Sequence, residues 1–291
     1  MKTAWWMVAA LMLLALGMGF FLGSHFHAVS RVEDEVDRPY ALDLLNSVLW
    51  MQTAAERRAL TRQTYRQAER LLEAALEDGS WTAALEQGEK PSQLPPAVIL
   101  DVDETVLDNS AFQAQLIVED ELFQTGPWND WCRREEALPI PGAVHFTQYA
   151  AERGVVVFYL TNRRHEVEEA TRRNLEKLGF PLDEDNDTLF TRGEKEAWDV
   201  SDKASRRAEI ASRYRVLLLL GDDFNDFVSG TWASLAERDA LAEEYESYWG
   251  SKWFVLPNPE YGSWEGALVD FDYQLSPAQR LRRKYQALRL P

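Results

Sequence analysis

Four short apolar runs, separated by segments with helical periodicity, leave this chain few possible folds. Each run has the length of one strand, and their positions are residues 97–100, 155–160, 216–220 and 253–256. Helical patterns lie between them, at about 142–153, 165–178 and 202–213. Apolar runs without alternating polar residues are typical of parallel strands that are buried on both faces. The alternation predicts an α/β protein with an open, mostly parallel sheet and helices on both faces.

The region before these runs has a helical pattern. Apolar residues recur at helical spacing over residues 40–77, which predicts one or two amphipathic N-terminal helices. Residues 78–96 contain several glycines and prolines, which indicates a loop. We predict one domain over residues 40–291. The acidic segment 231–250 carries no pattern that assigns it a structure.

The first residues form a candidate membrane segment. Residues 4–23 carry no charge, and a helix of this length would span the roughly 30 Å of a bilayer core. We predict a signal anchor or signal peptide over residues 1–23 and a linker over residues 24–39. The sequence after the run is a poor cleavage site, which favours an anchor. Because Lys2 is expected to stay in the cytoplasm, the domain is predicted to be periplasmic or otherwise extracytoplasmic, in the cell envelope.

The chain is strongly acidic, with 48 acidic against 31 basic residues and a formal net charge of −17. This balance argues against nucleic acid as a partner, since no basic patch is expected. An enzyme of this charge that acts on an anionic substrate needs a local cation. The single cysteine, Cys132, cannot form an intramolecular disulfide, and the four histidines are scattered, so no zinc site is indicated.

Reactive side chains follow three of the predicted strands. Asp101 and Asp103 come directly after the first run. The sequence Thr-Asn-Arg at 161–163 follows the second, and Gly-Asp-Asp-Phe-Asn-Asp at 221–226 follows the third. In a parallel sheet these strand ends meet at one edge, where open α/β proteins bind their ligands. We therefore expect one site that combines all three segments.

This edge of the sheet would gather several carboxylates. Asp222, Asp223 and Asp226 are expected beside Asp101 and Asp103, and such groups repel one another unless a cation lies between them. Hard oxygen ligands favour Mg²⁺, which binds one or two carboxylates together with substrate phosphate. The sequence therefore predicts Mg²⁺ as cofactor and a phosphate ester as substrate.

The same residues can supply the chemistry of phosphoryl transfer. Asp101 is the candidate nucleophile, which would form an aspartyl-phosphate. Asp103 is the candidate acid and base, which would protonate the leaving alkoxide and then deprotonate water. Thr161 can donate a hydrogen bond to a phosphoryl oxygen, and Lys203 can supply a positive charge. Each residue alone is more often a turn, cap or surface residue, so the prediction depends on their combined spacing.

These motifs, in this order, resemble those of the haloacid dehalogenase-like (HAD) hydrolases. The string 99–110 and the segment 257–265 are similar in particular to the class C acid phosphatases, the lipoprotein-e-type 5′-nucleotidases of the bacterial envelope. The resemblance covers roughly residues 40–270 and implies a HAD-like fold with a small helical cap inserted at about 108–140. The family's usual lipid-bearing cysteine is absent, and Asp223 stands where asparagine is common.

The resemblance also implies roles for individual residues. Asp101 would be the nucleophile and Asp103 the acid and base. The implied protein ligands of Mg²⁺ are Asp101, Asp222 and the carbonyl oxygen of Asp103. The residues implied to hold the substrate phosphate are Thr161, Asn162 and Lys203. The implied supporting residues are Asp223 and Asp226. The residues expected near the leaving group are Tyr261, Trp128 and Trp131.

The resulting expectation is a Mg²⁺-dependent acid phosphatase that hydrolyses phosphate monoesters, with nucleoside monophosphates as expected substrates and the membrane as a partner of the N-terminal segment. Two alternatives stay open: another chemistry on the same fold (phosphoryl transfer to another acceptor, or phosphonate or dehalogenase chemistry), and a non-catalytic binding module. A dehalogenase needs no Mg²⁺, so the acidic cluster around Asp222 disfavours it. The complete set of motif residues disfavours a binding module.

Overall fold

A computed structural model describes residues 40–183 and 185–290 of the protein. The predicted anchor or signal peptide at 1–23 and the linker at 24–39 lie outside the described residues. Within the described part of the chain, no helix combines the length and the apolar character needed to cross a membrane.

The described chain alternates strands and helices from residue 96 onward. The helices are α1 (Leu45–Thr53), α2 (Ala55–Glu77), α3 (Ser110–Glu119), α4 (Thr125–Arg134), α5 (Ala143–Ala151), α6 (Glu168–Leu178), α7 (Ala204–Ala211), α8 (Leu235–Glu244), α9 (Ser263–Leu268) and α10 (Pro277–Ala287). The strands are β1 (Pro96–Leu100), β2 (Leu107–Asp108), β3 (Leu138–Pro139), β4 (Val156–Arg164), β5 (Leu189–Arg192), β6 (Arg215–Gly221) and β7 (Trp253–Val255).

Five of the strands form one sheet in the order β5-β4-β1-β6-β7. All neighbouring strands in it are parallel. The register places Leu100 of β1 opposite Tyr159 of β4 and Leu220 of β6. β1 and β6 therefore end at nearly the same level, and β4 continues past them to Arg164. The open, parallel α/β sheet predicted from the apolar runs is confirmed.

The sheet is covered on both faces, as the continuous apolar strands require. Val98 and Leu100 of β1 pack in one buried cluster with residues of α2, α3 and α5. Ala97 and Ile99, which point to the opposite face, pack in a second cluster with Ile210 of α7. In α2, Tyr65 faces the sheet and its hydroxyl donates to the carbonyl oxygen of Thr105 at 2.7 Å. The N-terminal helices therefore support the loop that follows β1.

The predicted cap region contains α3 and α4. Its two ends meet where β2 pairs with β3 in an antiparallel ladder. Phe112 of α3 lies 5.1 Å from Trp128 of α4 between ring centroids, and Trp131 packs on its other side at 6.5 Å. This small aromatic cluster holds the two cap helices against each other.

Several elements were not predicted, among them one strand of the main sheet and the helix of the acidic segment. Strand β5 is only four residues long and ends in Thr191 and Arg192, so it lacks a continuous apolar run. The acidic segment 231–250 forms α8, whose first turn is closed by a capping box between Ser234 and Glu237. The chain then returns to β7, where Tyr248 packs on Trp253 with 4.7 Å between ring centroids. Aromatic packing against the edge strand β7 therefore holds this segment in place, although its acidic composition is typical of a protein surface.

Candidate active site

The carboxyl ends of β1, β4 and β6 bring the predicted motif residues to one edge of the sheet, at a cavity of about 1330 Å³. The predicted residues that line it are Asp101, Asp103, Trp128, Asn162, Lys203, Asp222, Asp223, Asp226 and Tyr261. Thr161 and Trp131 were predicted to belong to this set, but neither lines the cavity. The three strand ends therefore form one site, as predicted from their order in the sequence.

A buried ammonium group lies at the centre of this site. Lys203, directly before α7, donates to Oδ1 of Asp101 at 2.5 Å and to Oδ1 of Asp226 at 2.6 Å. Burial raises the pKa of Asp101 to about 7, with the Lys203 ammonium opposing this shift and the Asp226 carboxylate adding to it. Burial alone would lower the pKa of Lys203, but the two carboxylates raise it above its ordinary value. The lysine therefore stays charged and holds two acidic side chains together.

The loop after β6 folds back to deliver Asp226. Asp223 and Asp226 form a capping box, in which the Asp223 N–H donates to Oδ2 of Asp226 at 3.0 Å. This return places Asp226 against Gly221, the last residue of β6. A Cβ atom on Gly221 would lie 2.2 Å from Oδ2 of Asp226 and 2.4 Å from its Cβ. Glycine is required here because any side chain would occupy the space of the Asp226 carboxylate.

Asp222 is oriented by neutral donors. Thr105 donates to its Oδ1 at 3.0 Å, and Asn258 donates to its Oδ2 at 2.8 Å. Burial and the neighbouring Asp101 carboxylate raise the pKa of Asp222. Its carboxyl group is therefore held by hydrogen bonds from neutral groups, at a place where burial favours the protonated form.

Three carboxylates are close enough to bind one cation. Oxygen atoms of Asp101, Asp222 and Asp226 all lie within 4.8 Å of one another. A set of hard, anionic oxygen donors fits a hard divalent ion such as Mg²⁺. Asp101 and Asp222 were predicted as ligands, whereas Asp226 was predicted to support the site, and the structure shows it bound to Lys203 within the same cluster.

The carboxylate of Asp103 is held by a different cation. The buried Arg163 donates to Oδ1 of Asp103 from Nε at 2.9 Å and from Nη2 at 2.8 Å. Asn109 donates to the same oxygen at 2.9 Å. Neither Arg163 nor Asn109 was given a role from the sequence. The available signal was the strand period, because Arg163 lies two residues after Thr161 and therefore on the same face of β4.

Thr161 and Asn162 were both predicted to hold the substrate phosphate. Thr161 is fully buried, and its hydroxyl donates to Oδ2 of Asp103 at 3.3 Å. Asn162 lines the cavity, and its amide is fixed between the Ser201 carbonyl oxygen at 3.1 Å and an Arg206 N–H at 2.6 Å. In these positions both residues support the site, and a direct contact of either with phosphate stays a prediction.

The residues expected near the leaving group separate into two groups. Tyr261 and Trp128 line the cavity. The hydroxyl of Tyr261 donates to the carboxylate of Glu104, a residue with left-handed backbone (φ 55°) in the loop after β1. Trp131 is buried, and its indole N–H donates to Oδ1 of Asn109 at 2.9 Å. In this position Trp131 supports Asn109, and a contact of Trp131 with the leaving group stays a prediction.

Asp223 anchors the segment that carries Tyr261, whereas Lys203 donates its hydrogen bonds to Asp101 and Asp226. Its carboxylate accepts hydrogen bonds from the N–H of Ser263 at 2.5 Å and from the Ser263 hydroxyl at 2.8 Å. The N-terminus of α9 is thereby attached to the loop after β6. Asp223 therefore couples the position of Tyr261 to that of Asp222.

Comparison with known proteins agrees with this geometry. The model of the family described as HAD superfamily, subfamily IIIB (acid phosphatase), matches residues 32–264. The chain belongs to this family. The enzyme is an acid phosphatase, a hydrolase of phosphate monoesters, and the resemblance and enzyme class predicted from the motifs are confirmed.

Solved structures of a relative support the assignment. The class C acid phosphatase from Bacillus anthracis is 31% identical, with a TM-score of 0.77, and the match covers 87% of this chain and 99% of that chain. The same protein with tungstate bound is 30% identical, with a TM-score of 0.76 and the same coverage. The acid phosphatase described above therefore shares its fold with an enzyme of the same class along most of its length.

The close approach of Gly221 to Asp226 gives a first prediction. We expect Gly221→Ala to displace the Asp226 carboxylate and remove one partner of Lys203, and so to lower kcat for p-nitrophenyl phosphate by about 100-fold or more. The matched control is Gly88→Ala, because a Cβ atom there meets nothing within 4 Å. A folded Gly221→Ala enzyme with activity within about threefold of wild type would show that this contact is not needed.

The raised pKa values give a second prediction. The folded protein holds protons on Asp101 and Asp222 that the unfolded chain releases near pH 4, so stability should fall as pH rises through about 7. We expect the Tm of EDTA-treated protein to be lower at about pH 7.5 than at about pH 5.5. Mg²⁺ should raise Tm more at the higher pH, because the cation competes with protons for the same oxygens. An equal Mg²⁺ effect at both pH values would contradict this, and Asp222→Asn should weaken the pH dependence.

Proposed function

We propose that this phosphatase uses Mg²⁺ and hydrolyses nucleoside monophosphates through an aspartyl-phosphate on Asp101, outside the cytoplasmic membrane. One observation carries the proposal: the oxygens of Asp101, Asp222 and Asp226 lie within 4.8 Å of one another at a large cavity, with Lys203 bound to two of them. A negatively charged site of this kind needs a cation before an anionic substrate can approach.

The residues that would hold Mg²⁺ are Asp101 and Asp222, with the carbonyl oxygen of Asp103 as a third protein ligand. When bound, the ion would offset the carboxylate charge and polarise the phosphoryl group. The hydrogen bonds to Asp222 support this assignment, since its two oxygens accept from the neutral groups of Thr105 and Asn258. The choice of Mg²⁺ over other hard divalent ions rests on the all-oxygen donor set.

The side chains of this site can carry out two successive displacements at phosphorus. In the first, an oxygen of Asp101 forms a bond to phosphorus while the bond to the leaving alkoxide breaks, and Asp103 donates a proton to that alkoxide. In the second, water attacks the aspartyl-phosphate and gives a proton to Asp103, and inorganic phosphate leaves as the Asp101 carboxylate is restored. Lys203 stabilises the negative charge that develops on the transferring group.

The cavity supports a substrate with a planar leaving group. Its volume of about 1330 Å³ is larger than a phosphate needs. Aromatic residues from several parts of the chain line it, and they are Phe123, Trp128, Trp232, Tyr261, Phe271, Tyr273 and Tyr285. Stacking of a base on an aromatic ring contributes about 1–3 kcal/mol in single-stranded nucleic-acid complexes. Tyr261 is the candidate for this contact, since its segment lies next to Asp222 through Asn258.

The bound ligand of the relative agrees with the proposed chemistry. The Bacillus anthracis class C acid phosphatase was solved with tungstate bound, and tungstate is a tetrahedral oxyanion like phosphate. A membrane anchor at residues 4–23 would hold the site outside the cytoplasm, where nucleotides need to lose phosphate before uptake of the nucleoside. A role in scavenging nucleosides follows as part of the proposal.

The role of Asp101 is tested by removing its charge. We expect Asp101→Asn to lower kcat for p-nitrophenyl phosphate by several orders of magnitude, because it removes the nucleophile and a metal ligand together. EDTA should abolish the wild-type activity and Mg²⁺ should restore it. Asp130→Asn is the matched control, since Asp130 is exposed and forms a surface ion pair with Arg133. Full activity after exhaustive chelation, or a folded Asp101→Asn enzyme with more than about a tenth of wild-type activity, would refute the proposal.

The role of Tyr261 is tested by comparing two substrates. If its ring stacks on the base, Tyr261→Ala should lower kcat/KM for AMP by roughly tenfold or more and change that for glycerol phosphate little. Tyr261→Phe keeps the ring but removes the hydroxyl that donates to Glu104, so it should retain the preference for AMP. Parallel losses on both substrates would assign Tyr261 a structural role.

A further inference from the structure

Arg163 is a fully buried cation that directs its two shortest side-chain hydrogen bonds at one carboxylate. Its side chain is 1% exposed, and it approaches Asp103 with two N–H groups of the same guanidinium. Burial disfavours its charge, but the Asp103 carboxylate raises the pKa of Arg163, so the charge persists at every physiological pH. The site therefore holds a permanent cation on Asp103.

The two oxygens of Asp103 have different surroundings. Oδ1 accepts three N–H donors, two from Arg163 and one from Asn109 at 2.9 Å. Among the described residues, Oδ2 accepts one hydrogen bond, from the Thr161 hydroxyl at 3.3 Å. Because a carboxylate oxygen offers about two lone-pair sites, Oδ1 has no room for a proton as well. A proton on Asp103 therefore belongs on Oδ2.

The guanidinium is itself fixed on its remaining sides. Its Nη1 donates to Oγ1 of Thr171 in α6 at 3.1 Å, and its Nη2 also donates to Oδ1 of Asn109 at 3.2 Å. Its carbon atom lies 5.5 Å from the ring centroid of Trp128 in the cap. Rigid support of this kind is what holds a catalytic group in a productive orientation.

We propose that Arg163 is a positioning residue that fixes the Asp103 carboxyl group so that Oδ2 alone exchanges protons with the substrate. The inference rests on the proposed role of Asp103 as acid and base. In the first step the Oδ2–H bond breaks and its proton passes to the leaving alkoxide as the ester P–O bond breaks. In the second step a proton of the attacking water returns to Oδ2 as the bond between phosphorus and Asp101 breaks.

The proposal predicts a loss that depends on the leaving group. Without the guanidinium fork the Asp103 carboxyl group can rotate, which harms substrates that need the proton and spares those with a good leaving group. We expect Arg163→Met to lower kcat for glycerol phosphate by about 100-fold and kcat for p-nitrophenyl phosphate by less than about tenfold, with KM changing little. Arg163→Lys keeps the charge but loses the planar fork, so it should restore the ratio of the two kcat values only partly.

The experiment includes Arg215→Lys as matched control. Arg215 is also buried, but it donates to the carbonyl oxygens of Ala75 and Asp78, away from the site. This variant should lower Tm without changing the ratio of the two kcat values. If the Arg163 variants do not fold, Thr171→Val removes the hydrogen bond from Nη1 of the guanidinium, together with the local bond of the Thr171 hydroxyl to the Val167 carbonyl oxygen. It should shift the ratio in the same direction by about threefold.

Asp103→Asn, measured on the same two substrates, separates this inference from the proposed function. Equal losses on both substrates in Asp103→Asn would refute the acid and base role itself. A selective loss in Asp103→Asn together with equal losses in Arg163→Met and Thr171→Val would refute only the positioning role. Full recovery of the ratio in Arg163→Lys would also overturn it, because a charge without the fork would then suffice.

Discussion

The buried contact of Lys203 with Asp101 and Asp226 is the interaction on which the rest of the site depends. Taking carboxylates out of water is costly unless a cation and good hydrogen bonds compensate. One ammonium serves two carboxylates here, and Asp222 adds a third within 4.8 Å. The cluster therefore carries excess negative charge, and burial raises the pKa of its acids. The same excess makes the site suited to a divalent cation.

The need to place these carboxylates close together explains the unusual backbone around them. Gly221 gives the Asp226 carboxylate the space that any side chain would fill, and the capping box with Asp223 directs the chain back. Asp223 in turn fixes the start of α9, and with it the segment of Tyr261. The loop that builds the acidic cluster therefore also builds one wall of the substrate cavity.

The sequence was sufficient to predict the features that depend on the period of apolar residues and on their position along the chain. The apolar runs predicted four strands of the main sheet, and the polar residues after them predicted Asp101 and Asp222 at one edge. Lys203 was predicted from the start of the helix before the third run. Side-chain direction was harder to predict, because Trp131 lies one helical turn from Trp128 yet points into the core, towards Asn109. The side-chain direction of Thr161 was equally hard to predict, because Thr161 is buried and its hydroxyl donates to Asp103. Strand β5 and helix α8 were missed because tertiary contacts, rather than local pattern, stabilise them.

The two aspartates of the loop after β1 pair with different cations, and the difference suits the roles proposed for them, Asp101 as nucleophile and Asp103 as acid and base. Lys203 contacts Asp101 as a point charge through one oxygen, so it can balance the carboxylate without fixing its plane. Arg163 contacts Asp103 as a planar fork, which does fix the plane and saturates one oxygen with N–H donors. A nucleophile has to move towards phosphorus as its bond forms, whereas an acid has to present one proton in one direction. The choice of lysine for Asp101 and arginine for Asp103 therefore follows from the motion that each step requires.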